Sequence, residues 1–160
     1  MSQGLAPRPG PGEIERALAA AMVQPSAADR LLELASTESG REFVAGELTR
    51  CLPIQDWDAI EVLLPVCRER PDASYAVPLA AILDRQSLEI SNSLVIDALG
   101  RTGSRDAEPA LRRALERTSV PRPDWKPDRA GLEEADGLRS RCEEALHALE
   151  HGAGPGASSE

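Results

Sequence analysis

Apolar residues recur at helical spacing along the chain, in short stretches separated by proline, glycine and small polar residues. The first stripe, at positions i, i+4, i+7 and i+8, comprises Ile14, Leu18, Ala21 and Met22. This spacing predicts an amphipathic helix, which we expect to end at Pro25. Equivalent stripes predict seven further helices at about residues 26–36, 39–52, 56–70, 74–84, 91–99, 106–117 and 128–151. The sequence therefore predicts an all-α fold of about eight helices.

Residues that favour helix ends lie between these stripes. We expect Ser26 and Asp56 to cap the second and fourth helices, because their side chains can accept a hydrogen bond from the first helical turn. Pro53 is expected to stop the third helix. Gly100 and Gly103 suit the left-handed backbone conformation that closes a helix. These residues predict short helices joined by tight turns.

Two Ala-x-Pro elements have their prolines at Pro78 and Pro109, 31 residues apart. Each copy opens an apolar helix, and each is preceded at the same interval by another apolar helix. A repeat of two helices per 31 residues predicts stacked helical hairpins. A hairpin of this size cannot cover its own apolar faces, so neighbouring hairpins must bury one another.

Residues 94–111, with the sequence LVIDALGRTGSRDAEPAL, resemble the bacterial HEAT-like repeat first noted in phycobilin lyases. In that family, a helix ending in Ala-Leu-Gly leads through a short glycine turn into an Ala-x-Pro-x-Leu helix. The likeness is partial over residues 60–117, and elsewhere it extends only to a pattern of helix pairs. Ser91 and Asn92 depart from it, since they stand where the family often has Val-Arg, and the leucines near Pro78 are shifted by one position. The resemblance implies a short right-handed α-solenoid of HEAT-like hairpins, with a shallow concave surface lined by the second helix of each pair.

The two ends of the chain differ from the rest in composition. Residues 1–12 and 152–160 are rich in glycine and proline and carry few apolar side chains that could offset the entropy of ordering. We therefore expect a flexible N-terminal tail (1–12), one HEAT-like α-solenoid domain (13–151) and a flexible C-terminal tail (152–160). Neither an apolar secretory segment nor a membrane span is visible, so we expect a cytoplasmic protein with no membrane association.

Charge narrows the choice of partners. The formal net charge is −9 at pH 7, and the pI is about 4.8. Nucleic-acid phosphates and anionic membrane surfaces repel such a protein on average, so we expect no nucleic-acid partner. Between Glu33 and Glu61 the chain carries seven acidic and two basic residues. This local excess predicts a basic protein partner, and an ordinary solvated face is the alternative explanation of the same charges.

The sequence contains little that indicates an enzyme. The serine-nucleophile motif GxSxG and the phosphate-binding motif GxxxxGK[ST] are both absent. The three cysteines show no CxxC spacing, so we expect buried, reduced thiols rather than disulfides or a zinc site. His147 and His151 lie four residues apart and could hold a metal, but they also suit the C-terminal end of a helix dipole. We expect no catalytic residues, no metal and no cofactor.

Binding to another protein is the function that these features favour. We expect a non-enzymatic scaffold or adaptor that uses the concave acidic face of the repeat stack. The candidate partner-binding residues are Glu33, Asp56, Trp57, Asp58, Glu61, Asn92 and Trp125. Asp56 and Asp58 could instead serve only as a helix cap and a favourable charge on the helix dipole. Trp125, in a proline-rich loop, could either contact the partner or cover the last hydrophobic groove.

Two other functions stay open. A neutralising, immunity-type partner of a basic toxin or nuclease would also be small and acidic. A lyase-type enzyme subunit acting on a chromophore-bearing protein is suggested only by the analogy with phycobilin lyases. The oligomeric state and the identity of the partner do not follow from the sequence.

Overall fold

The structure is a computed structural model of the chain, and it describes residues 12–87, 89–119 and 129–151. Over these ranges it contains eight α-helices and no β-strand. The helices are α1 (Glu13–Val23), α2 (Ala28–Leu34), α3 (Glu38–Ile54), α4 (Trp57–Glu69), α5 (Ala76–Arg85), α6 (Asn92–Arg101), α7 (Glu108–Ser119) and α8 (Arg129–Glu150). The prediction of an all-α fold with eight helices is therefore confirmed for the described part of the chain.

The helices belong to two compact units, which meet in the sequence between Arg70 and Pro71. The first unit contains α1 to α4 and the second contains α5 to α8. The predicted tails lie outside the described residues, apart from Gly12, which precedes α1. A single solenoid over residues 13–151 stays a prediction.

In the first unit, α4 packs against α1, α2 and α3. Four side chains of α4 have no exposed surface: Ile60, Leu63, Leu64 and Cys67. Leu31 of α2 and Val44 and Leu48 of α3 are equally buried. Residues spaced three and four apart fall on one side of a helix, so the apolar side of α4 forms the centre of this core.

The second unit has a different pattern of helix contacts. Consecutive helices pack in pairs, α5 with α6 and α7 with α8, while α5 also packs on α7 and α6 packs on α8. Ion pairs join α5 to α7 and α6 to α8. Arg113 of α7 donates two hydrogen bonds to Asp84 of α5, at 3.0 Å and 2.7 Å, and Arg141 of α8 donates to Asp97 of α6 at 2.5 Å. Corresponding helices of the two pairs therefore lie against each other within this unit.

Helices α5 and α7, with the 3-10 helices that precede them, repeat at an interval of 32 residues, one more than the spacing of their prolines. Short 3-10 helices begin at Ala73 and Arg105, and they lead into α5 at Ala76 and α7 at Glu108. In this register the buried residues match in four pairs: Tyr75 with Ala107, Pro78 with Ala110, Leu79 with Leu111, and Ile82 with Ala114. The 31-residue period is therefore wrong by one position.

The physical reason lies in the first turn of each helix. Pro78 is the third residue of α5, whereas Pro109 is the second residue of α7. Amide groups in the first turn have no partner within the helix, so proline is tolerated at either position. The buried side chains have no such freedom, and they define the register. The leucines that look shifted in the sequence are in register in the structure.

Two predicted helix boundaries are wrong. Ser26 does not cap α2, because residues Pro25–Ala27 form a 3-10 helix and Ala27 precedes α2 without a side-chain cap. Pro53 does not stop α3, which continues to Ile54. The helix is closed instead by Gln55, whose φ of 56° is left-handed, and by a hydrogen bond from the Asp56 amide to the Cys51 carbonyl. A proline in the last turn costs only one backbone hydrogen bond, so it can lie inside the helix end.

The two glycines after the sixth stripe have different roles. Gly103 has a φ of 71°, as expected for a residue that closes a helix. Gly100 lies inside α6 and is buried, so the prediction that it closes the helix is wrong. A Cβ at Gly100 would lie 2.8 Å from the Cβ of Ala145. This glycine therefore allows α6 and α8 to approach closely.

We predict that Gly100→Ala destabilises the protein by about 1–3 kcal/mol, because the new methyl group forces α6 and α8 apart. Gly137→Ala in α8 is the control, since no described atom lies within 4 Å of its added Cβ. The control should be stabilised by up to about 1 kcal/mol, as alanine is the better helix former. Urea unfolding followed by circular dichroism measures the free energy of unfolding of both variants. Equal values for the two variants would contradict the close approach of α6 and α8.

In the first unit, we predict that Gly40→Ala destabilises the protein by about 3 kcal/mol or more, because its Cβ would overlap the backbone carbonyl of Leu34. A backbone group cannot move aside as a flexible side chain can. Gly46→Ala in the same helix meets open space and should be neutral or slightly stabilising. Thermal unfolding of the two variants distinguishes these outcomes, and a stable Gly40→Ala protein would mean that the α2–α3 turn is more open than described.

We predict that Leu99→Ala costs about 2–5 kcal/mol, since Leu99 has no exposed surface and its truncation leaves a cavity. His147→Ala is expected to change the free energy of unfolding by less than about 0.5 kcal/mol, because His147 is exposed on α8. Equal losses in a denaturant titration would contradict the assignment of core and surface in this unit.

Candidate functional site

The first turn of α4 holds three of the candidate residues. The Asp56 carboxylate accepts a hydrogen bond from the Ala59 amide at 3.3 Å, so the predicted cap of the fourth helix is confirmed. Asp58 lies in the same turn, where a negative charge is favourable for the helix dipole. Both residues thus help to begin α4, and they hold the intervening Trp57 at the start of the helix.

The side of α4 opposite its buried side chains carries both charge and apolar surface. Asp58 and Glu61 are exposed, and neither forms an ion pair within the described residues. Trp57 and Pro65 are half-buried. At 100° per residue these four residues fall within an arc of about 100° on the helix. We call this set, Trp57, Asp58, Glu61 and Pro65, the α4 face.

Glu33 lies away from the α4 face. It is near the end of α2, and its carboxylate is 3.6 Å from the Arg30 guanidinium. Ser36, three residues later, accepts a hydrogen bond of 3.2 Å from Arg70, which directly follows α4. Glu33 is therefore near the C-terminal end of α4, about 18 Å along its axis from Trp57. The structure brings Asp56, Trp57, Asp58 and Glu61 together but does not add Glu33 to them.

The acidic excess between residues 33 and 61 is partly used inside the first unit. Glu47 is mostly buried and accepts a hydrogen bond from Arg50 at 2.6 Å. Glu38 and Glu42 are exposed near the beginning of α3. Because α3 and α4 pack together and are joined by a two-residue turn, the beginnings of these helices lie at opposite ends of the pair. Glu38 and Glu42, at the beginning of α3, therefore lie far from Asp58 and Glu61, at the beginning of α4.

Asn92 is the first residue of α6, in the second unit. Its amide nitrogen donates to the Ser87 carbonyl at 2.8 Å, and its buried amide oxygen has no hydrogen-bond partner among the described residues. Ser91 caps the helix by accepting from the Leu94 amide at 3.3 Å. The hydrogen bond from Asn92 connects the beginning of α6 to Ser87. Trp125 lies outside the described residues, so both explanations of its role stay predictions.

A cavity that the sequence does not indicate lies between the first turn of α6 and the middle of α8. Its volume is about 280 Å³, and its lining residues are Ile90, Ser91, Asn92, Ser93, Gly137, Leu138 and Arg141. It results from the packing of α6 on α8, which no local pattern of residues predicts.

His147 and His151 lie at the end of α8, and both are exposed. Their ring centroids are 4.2 Å apart, with the rings tilted by 46°. The part of the chain that the structure describes has no group of three or more histidine, cysteine, aspartate or glutamate side chains that could hold a metal ion. In the same part, no helix combines the length and the apolar character needed to cross a membrane.

No protein-family model, curated protein or solved structure matches this chain.

The three cysteines are free and buried, as the sequence predicts. Burial raises the pKa of the Cys142 thiol to about 11, although Arg117 acts in the opposite direction. Burial also raises the pKa of Cys67, strongly, and that of Cys51, where Arg50 opposes the effect. A raised thiol pKa means that the unreactive neutral form predominates near neutral pH.

We predict that the native protein reacts slowly with a thiol reagent such as dithiobis(2-nitrobenzoate). At about pH 8, only about one Cys142 side chain in a thousand would be the thiolate, and none of the three sulfur atoms is readily reached. In denaturant, all three thiols should react quickly. The absorbance of the released thiolate measures both rates, and rapid reaction of the native chain would show that these helices open easily.

Proposed function

We propose that this protein is a non-enzymatic scaffold or adaptor, built from HEAT-like helical hairpins, that binds a basic segment of a partner protein on the α4 face. One observation carries the proposal: Asp58 and Glu61 are exposed and lack ion-pair partners within the described residues, beside a half-buried tryptophan. Carboxylates in this state can pair with lysine or arginine of another protein without first breaking an internal pair.

The packing of the second unit supports the repeat part of the proposal. There α5 packs on α7 and α6 on α8, so corresponding helices of successive pairs lie side by side. Arrays of this kind gain their stability from neighbouring repeats and present the helices of successive repeats as one surface. In such an array α4, which follows α3, would be a second helix of a pair. Second helices line the concave surface in the family that the sequence resembles.

The chemistry of the α4 face supports a protein partner. An exposed ion pair contributes only about 0.2–1 kcal/mol, so Asp58 and Glu61 would mainly select a basic partner and speed its approach. Trp57 and Pro65 add apolar surface, and tryptophan is among the residues that most often dominate binding energy at interfaces. Together they favour a segment that combines lysine or arginine with an apolar side chain.

The proposal places the protein in the cytoplasm and names a protein, not a nucleic acid, as its partner. The net charge of −9 disfavours binding to a phosphate backbone. A neutralising partner of a basic toxin would use the same kind of contact, so the identity of the captured protein distinguishes it from an adaptor.

The proposal predicts that the double substitution Asp58→Lys and Glu61→Lys weakens partner binding by roughly tenfold or more, because two attractive charges become repulsive. The full chain, immobilised, would be used to recover partners from the lysate of its source cells, followed by mass spectrometry. The dissociation constant of a recovered partner would then be measured for each variant.

The matched control is the double substitution Glu38→Lys and Glu42→Lys. It makes the same change in net charge, also at exposed residues near a helix beginning of the first unit. Each variant is used only if its thermal unfolding matches that of the natural sequence. Binding that is lost in the first variant and kept in the control supports the α4 face. Equal loss in both, or no loss in either, would contradict it.

A further inference from the structure

We draw no further inference here: the strongest candidate, the cavity between the first turn of α6 and the middle of α8, carries nothing because Arg141 is already paired with Asp97, the orphaned Asn92 oxygen is itself buried, and a helix beginning with two serine hydroxyls does not by itself indicate a ligand.

Discussion

The helices that the structure describes bury apolar side chains where helices of one unit pack on one another. The effect is clearest at α4, where Ile60, Leu63 and Leu64 have no exposed surface. Burial of a leucine or isoleucine side chain contributes about 1.5–3 kcal/mol, so the apolar side determines how the helix is oriented. Once α4 is oriented in this way, its opposite side faces away from the core of the first unit. The α4 face is therefore a consequence of the packing of the core.

The existence of the helices was predictable because their stripes depend only on local spacing. Their ends were less predictable, since several local solutions compete at each end. Ser26 is a good cap in isolation, but it lies inside the 3-10 helix Pro25–Ala27, and Ala27 is the residue that precedes α2. Pro53 disfavours helix at the residue before it, yet α3 continues through it to Ile54. Gly100 could close a helix or admit a neighbour, and only the position of Ala145 decides between these roles.

The candidate surface was predictable in part for the same reason. Asp58 and Glu61 are three residues apart, so their common side of one helix follows from the sequence. Whether Glu33 joins them depends on which ends of α2 and α4 meet, and that is a tertiary property. The hydrogen bond between Ser36 and Arg70 places Glu33 at the far end. Likewise, the pairing of Glu47 with Arg50 removes an acidic residue from the surface that a simple count includes.

The displaced prolines of α5 and α7 affect how the internal repeat of the second unit can be recognised in the sequence. A proline can occupy either of two positions in the first turn of a helix at little cost in stability. A buried side chain of α5 or α7 cannot move by one position without opening a gap in a close-packed interior. An internal repeat of this kind is therefore better detected by comparing buried positions at a constant offset than by aligning conspicuous prolines.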